Sequence, residues 1–444
     1  MKQKQEKRMS PWLWIPPLYI AKGIPFVVLM TLSLIIYKRM GMDNVEITFY
    51  TSWLLLPWVI KPLWRPLIDL YMTRRFWILV MELLMGVAMM GVAFTIPCNF
   101  WLYGTLFFFW LLAFGAATHD IAIDSFYQLG VPPSEQLPFV RVRRFFYRLS
   151  MIFVQGMMVM VAGNLEVISR NIRYSWSFVV YILAGVMIFS ALIHMVVLPR
   201  SSDQKSCKQS IPASRMMRIF KANVTTFVRK PYATRAILFL FLYLVAEGLM
   251  AKISVLFLID RTSIGGLGLS LQEFGFVQGT VGVIALVYGG IVGNNLVRHY
   301  GLRRCIIPMA VAIALPKLVF VYLSHALPES FLLINLCVAV EQFGFGFGMT
   351  AYIMYLVYYS QGERAAAHYG IGIAMMSFTM MFAGMFSGLW VKNVGYRTYF
   401  LIVLCMSLLA ILTSLSVKID TKFGIQEKKH DDKDSPNTNN SLTR

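Results

Sequence analysis

Apolar runs of about 20 residues or more, separated by short polar breaks, recur along the whole chain, beginning with WLWIPPLYIAKGIPFVVLMTLSLIIY at 12–37. A helix rises about 1.5 Å per residue, so a run of this length crosses a hydrocarbon core of about 30 Å. The sequence predicts twelve such spans, at 12–37, 47–68, 76–96, 100–127, 141–165, 174–198, 232–258, 273–296, 304–324, 330–358, 366–390 and 397–417. Within lipid every backbone N–H and C=O must be satisfied inside its own segment, which leaves the helix as the assignment. The expected fold class is therefore an all-α polytopic membrane protein. The first apolar run continues to Tyr37 without a small-residue cleavage site, so it reads as a retained span rather than a leader.

Between the sixth and seventh spans lies a long basic stretch rich in Ser, Lys and Arg, which divides the chain six plus six. The expected organisation is a six-helix bundle over 1–198, a basic linker over 199–231, a second six-helix bundle over 232–417 and a disordered tail over 418–444. A net charge of +20 would suit nucleic acid, but the cations sit in loops between spans rather than on one soluble domain. With both termini in the cytoplasm, about 30 of the 41 Lys and Arg fall on that side, as the positive-inside bias requires. No nucleic-acid partner is expected; the lipid bilayer is. The five cysteines are scattered and the 28 methionines lack interleaved His or Cys at ligand spacing, so neither a disulfide framework nor a metal site is predicted.

The loops after the second and eighth spans, PLIDLYMTRR and GNNLVRHYGLRRC, are both short and basic and lie about 230 residues apart, the spacing of two parallel repeats. They resemble the G-x(4)-D-R-x-G-R-R loop of the major facilitator superfamily. Gly293, Gly301, Arg303 and Arg304 match it in the second half, and Asp69, Arg74 and Arg75 in the first. Arg298 stands where the second-half acid would be, and Trp64 where the first-half glycine would be. IKPLWRPLID (60–69), ATHDIAID (117–124), FFYRLSM (145–151), LVYGGI (286–291) and VEQFGFGFGMTAYI (340–353) further resemble the AmpG-type muropeptide permeases and the related acetyl-CoA transporter branch. That resemblance implies a major facilitator fold with spans one, four, seven and ten lining a central cavity. It also implies import of an anionic amino-sugar wall fragment across a bacterial inner membrane by a monomer that uses the proton as coupling ion and no other cofactor. In the tenth span the family's E-N-x-x-G-G-M-G reads Glu341-Gln342-Phe343-Gly344-Phe345-Gly346-Phe347-Gly348.

Ionisable side chains inside spans cost roughly 2.5–3.5 kcal/mol each on insertion scales, so each demands a partner or a wet cavity. Lys22 and Glu341 lie about ten residues into their helices, near the midplane, and Glu247 and Lys252 lie in span seven. These four are the candidate substrate-binding or proton-coupling residues, with a Lys22–Glu341 pair across the halves as the structural alternative. Glu82 and Lys317 fall on helices expected at the periphery. Lys61 and Arg65 share a helical face beside Asp69, as an inner gate or an ion pair. Asp120 and Asp124 also share a face, and folding the hairpin about Ser134 sets them level with Arg148 and Arg144, beside Tyr147. These are the candidate gating residues, with His119 on another face.

Three functions follow as expectations. The leading one is secondary active import of muropeptides, or of another sugar or oligosaccharide, by alternating access. A membrane acyltransferase using His119 and Asp124 is disfavoured because residues five apart on a helix point about 140° apart, and no catalytic group is assigned. The third is a sensor or scaffold that kept the fold without transport.

Overall fold

The computed structural model describes residues 10–132, 136–199 and 213–425, and among these every regular element is a helix. Among the described residues, ten helices are long and apolar enough to cross a membrane. They are α1 (Pro11–Arg39), α3 (Arg74–Thr95), α4 (Trp101–Gly130), α5 (Pro138–Ser169), α6 (Ile172–Val197), α8 (Ala233–Ile259), α9 (Leu271–Tyr300), α10 (Leu302–Ala326), α11 (Phe331–Ser360) and Ala365–Ser416. The last, at 52 residues, is twice the required length, and Gly395, at φ 73°, divides it into α12 (365–394) and α13 (396–416). A left-handed φ is open to glycine without a Cβ penalty, so the apparent single rod is two spans joined at a turn. The remaining segment, α2, runs through 44–70 in two helical pieces, Asn44–Trp53 and Leu56–Leu70, and carries Pro62 and Pro66 inside the second. The break at Leu54 and Leu55 leaves pieces of 10 and 15 residues, each shorter than a bilayer span by itself.

One expectation about the domain ends is corrected, that of a tail disordered from 418 onward, and the linker is found to carry a helix. Part of the 199–231 linker is the helix α7 (Ala213–Val228), whose Phe227 packs edge-on against Tyr359 with ring centroids 5.1 Å apart. The 418–444 tail begins as ordered chain: the Phe423 carbonyl accepts the Leu302 N–H at 3.0 Å, and the Phe423 ring packs on Tyr358. Residues 426–444, the rest of that tail, lie outside the described residues, as do 1–9. Cys98, Cys305, Cys337 and Cys405 are free thiols, and Cys207 lies outside the described residues.

With α2 and the break at Gly395 counted, the described spans are even in number, so alternating spans return the chain to the end where it began, here the termini side; the opposite end is the far side. The two halves are tied together toward the far side. Lys38 pairs with the buried Asp260 carboxylate. The same carboxylate accepts from Asn44 Nδ2 at 2.9 Å and from the Tyr396 hydroxyl at 2.5 Å, so one acid at the C-cap of α8 joins α1, α2 and α13. Gln272 Nε2 donates to Asn164 Oδ1 at 2.9 Å between α9 and α5.

Deeper along the same seam, α5 and α9 each unwind into a π-helical segment, Ile152–Met158 and Gly275–Gly282. Their backbones touch: a Cβ on Gly279 would lie 2.3 Å from the Gly156 Cα, so only glycine fits. Small residues allow helices in lipid to approach until dispersion and backbone contacts hold them, in the absence of a hydrophobic driving force between helices. The FGFGFG run of α11 works the same way. A Cβ on Gly344 would lie 2.3 Å from the Ala312 carbonyl of α10, and one on Gly346 would lie 2.1 Å from the Leu286 carbonyl of α9. Its half-buried Phe343 stacks on the buried Phe347 and is tilted against Tyr288 of α9.

Candidate functional site

Among the described residues, a partly exposed cluster of Lys and Asp lies in the first half and a buried one of Lys and Glu in the second. In the first half, α1 is packed against both α4 and α5 and brings Lys22 between them. Lys22 Nζ lies 2.9 Å from Asp124 Oδ1 and 3.6 Å from Asp120 Oδ1. From α2, Lys61 Nζ reaches Asp120 Oδ2 at 3.6 Å, and the Trp58 indole N–H donates to the same oxygen at 2.8 Å. Two lysines and two aspartates make a balanced set, and the shared face of Asp120 and Asp124 is what lets one ammonium serve both.

The expected pairing of Asp124 with Arg144 and of Asp120 with Arg148 is not formed. Arg144 is exposed, and Arg148 is turned against Met151, with Nη1 3.1 Å from Sδ. Levels along a hairpin fix height but not azimuth, and successive residues of a helix are rotated by about 100°. The arginine that turns inward is Arg143, one position earlier: it donates to the Tyr19 hydroxyl at 3.1 Å and lies over the Tyr127 ring at 3.9 Å. Tyr147, half-buried, accepts at its carbonyl from the Ser150 hydroxyl. Lys22 and Glu341 do not pair across the halves, since each is engaged within its own half.

In the second half, Lys317 of α10 lies between two acids, 2.5 Å from Glu247 Oε1 of α8 and 3.0 Å from Glu341 Oε1 of α11. All three are buried, Lys317 at 1% exposure. The other Glu341 oxygen accepts from Gln342 Nε2 at 2.8 Å. The expectation that Lys317 would sit apart at the periphery is therefore wrong. A cation on a peripheral helix can still reach inward, and two carboxylates at hand make that its lowest-energy direction. This cluster is unbalanced: two acids face one base.

Lys252, the remaining candidate, is buried in α8 and donates to Thr51 Oγ1 of α2 at 2.7 Å, across the halves. Arg65 of α2 approaches α12, where a Cβ on Gly370 would lie 4.0 Å from its Nη1. Asp69 belongs to α2, but its side chain lies outside the described residues. His119 faces neither Asp120 nor Asp124. Its Nε2 is 3.2 Å from Glu82 Oε1 of α3, and the other Glu82 oxygen is 2.8 Å from His194 Nδ1 of α6, with all three side chains buried. His119 and Asp124 therefore serve different partners, which removes the geometric basis of an acyltransferase pair.

A solved nucleoside transporter, NupG, determined as a point variant, superposes with a TM-score of 0.70 over 91% of this chain and 98% of its own, at 15% identity. The family model described as Major Facilitator Superfamily matches residues 266–436. This is the major facilitator fold. Among curated proteins, an AmpG-named transporter of Rickettsia conorii is 24% identical over 416 residues, 90% of this chain and 95% of its own. The anhydromuropeptide permease of Escherichia coli strain K12 is 22% identical over 352 residues, 78% of this chain and 67% of its own. The chain is thus similar to AmpG-type permeases and is a multi-pass membrane transporter rather than an enzyme.

In a major facilitator frame the residues that sequence reasoning missed fall into two groups. Lys38, Asn44, Asp260 and Tyr396 form the far-side latch, and each sits at a span end where a polar residue looks ordinary. His194 and Trp58 are partners of buried acids. The only advance signal for them was that Glu82 and Asp120 each needed something to face.

Proposed function

We propose that the chain is a proton-coupled importer of anionic muropeptides in a bacterial inner membrane, working by alternating access with its termini in the cytoplasm. The observation that carries this reading is the unbalanced cluster of Glu247, Lys317 and Glu341. Two carboxylates around one ammonium leave one surplus negative charge in a buried site, and a buried surplus charge is relieved most simply by a proton. A proton taken from the outer side and released inward is the coupling step such a cluster can perform.

The balanced cluster supplies the substrate side. A carboxylate on an incoming wall fragment competes with Asp124 for Lys22, and Lys252, which has only a hydroxyl partner among the contacts described above, offers a second cation. Exchange of these ion pairs, together with Lys61, Arg65 and Asp120, would loosen the termini side as substrate arrives. With the far side closed by the Asp260 latch and the Gly156–Gly279 contact, the arrangement suits a carrier that has already closed outward. The muropeptide assignment rests on similarity to the Escherichia coli permease; the phenylalanines of α11, which pack against α9 and α10, do not argue against it.

The test is uptake of labelled anhydromuropeptide and of a neutral oligosaccharide into vesicles carrying the chain, with and without a protonophore. Muropeptide uptake abolished by the protonophore is expected. Uptake that survives it would overturn the coupling, and uptake of the neutral sugar alone would overturn the substrate class.

A further inference from the structure

Away from both charge clusters, the described residues enclose a cavity of about 440 Å³ where α7 lies across the seam between the halves. Every residue lining it is apolar. Leu63 comes from α2 of the first half, Phe220 and Val224 from α7, Phe241 from α8, and Met375 and Phe378 from α12 of the second. Leu63 and Phe378 are exposed, and Leu63 lies about 200° round α2 from Lys61, which turns to Asp120, so the cavity opens on the side away from that cluster. The size suits a small-molecule site, but a wall with no polar group cannot orient a sugar or a carboxylate.

The depth is informative. Phe378 lies 13 residues into α12, about 20 Å along its axis at 1.5 Å per residue. On α12 the cavity wall runs from Ile371 to Phe378, about 10 Å, which is about two thirds of the ~15 Å that one leaflet contributes to a 30 Å hydrocarbon core. Above its mouth, α7 is two-faced. Phe220, Val224 and Phe227 recur at helical spacing on the side packed to the bundle, while Arg215, Arg218 and Lys221 recur every third residue on the exposed side. A basic amphipathic helix at a membrane surface attracts anionic headgroups.

We propose that this cavity is a lipid site that takes one acyl chain of an anionic phospholipid, whose headgroup is held by Arg215, Arg218 and Lys221. Because its walls belong to both halves, the bound chain would wedge the seam between α2 and α12. The site stands independently of what the carrier transports.

The test uses the purified full chain, delipidated and titrated with phosphatidylglycerol or phosphatidylcholine of the same acyl composition, with bound lipid read by native mass spectrometry. The unaltered chain is expected to retain one phosphatidylglycerol with about a tenfold preference over phosphatidylcholine. Ala374→Trp, which sets an indole in the middle of the cavity wall and obstructs it, should lose the retained lipid of either headgroup. The surface variant Arg215→Ser/Arg218→Ser/Lys221→Ser, which disturbs no buried residue, should keep a bound lipid but lose the preference. Equal retention of the two lipids by the unaltered chain would overturn the proposal. So would unchanged retention by an Ala374→Trp variant of normal helical content, or a surface variant with its preference intact.

Discussion

Replacing Lys317 by Met tests the energetics of the second-half cluster. The methionine keeps the length and apolar stem of lysine but removes the ammonium that lies 2.5 Å from Glu247 and 3.0 Å from Glu341. Both acids are then buried beside each other without a counter-charge, at 5% and 3% exposure. Breaking a buried ion pair by deleting one partner costs about 3–5 kcal/mol. For a unit of 150–250 residues each kcal/mol moves the midpoint by about 2–4 °C, so a fall on the order of 10 °C is expected. Thermal unfolding in detergent, followed by intrinsic fluorescence, reads it directly. The triple variant Lys317→Met/Glu247→Gln/Glu341→Gln should recover most of the loss, since replacing a complete buried ionic set by neutral groups is close to energetically even. A shift of less than about 2 °C in Lys317→Met, or a triple variant no better than the single one, would refute the reasoning.

Asp260→Asn removes the charge that Lys38 faces and weakens what Asn44 and Tyr396 donate to; a cysteine placed at Gln272 should then label faster from the far side, measured with a membrane-impermeant maleimide. Gly279→Leu cannot fit against Gly156, so the far side should fail to close, with binding retained and transport lost in a paired binding and uptake assay. Asp124→Asn frees Lys22 from its nearer carboxylate, and substrate affinity should change by about tenfold or more in a binding titration. In Glu82→Gln the two histidines lose their shared acceptor charge, and a loss of about 1–3 kcal/mol should appear as a lowered midpoint without a change in the pH dependence of transport.

The membrane class and the approximate spans were readable because each follows from local composition and the thickness of lipid. Gly395 and the break in α2 show where that reading blurs. A turn made by a single glycine, and a span carrying prolines and cations, both lack the polar punctuation that separates the other helices. At the site, the residues that needed partners were legible and the partners were not. Asp120 and Asp124 were correctly placed on one face, yet a helix rotation of one residue decides whether Arg143 or Arg144 turns inward, and their nearest cation comes from α1 about 100 residues away. Lys317 was misplaced because helix order in a fold says which helix is peripheral but not which way a long side chain reaches. His194 is 112 residues from Glu82, and nothing in either local sequence joins them.

The central claim is that the surplus acid in the Glu247, Lys317 and Glu341 cluster carries the coupling proton. It is tested most directly by recording pH inside a suspension of proteoliposomes on addition of anhydromuropeptide, for the unaltered chain and for Glu341→Gln. The unaltered chain should acidify the lumen as substrate enters. Glu341→Gln, with one acid left for one base, should exchange labelled substrate by counterflow without moving the pH. A Glu341→Gln variant that still drives protons in with substrate would contradict the account.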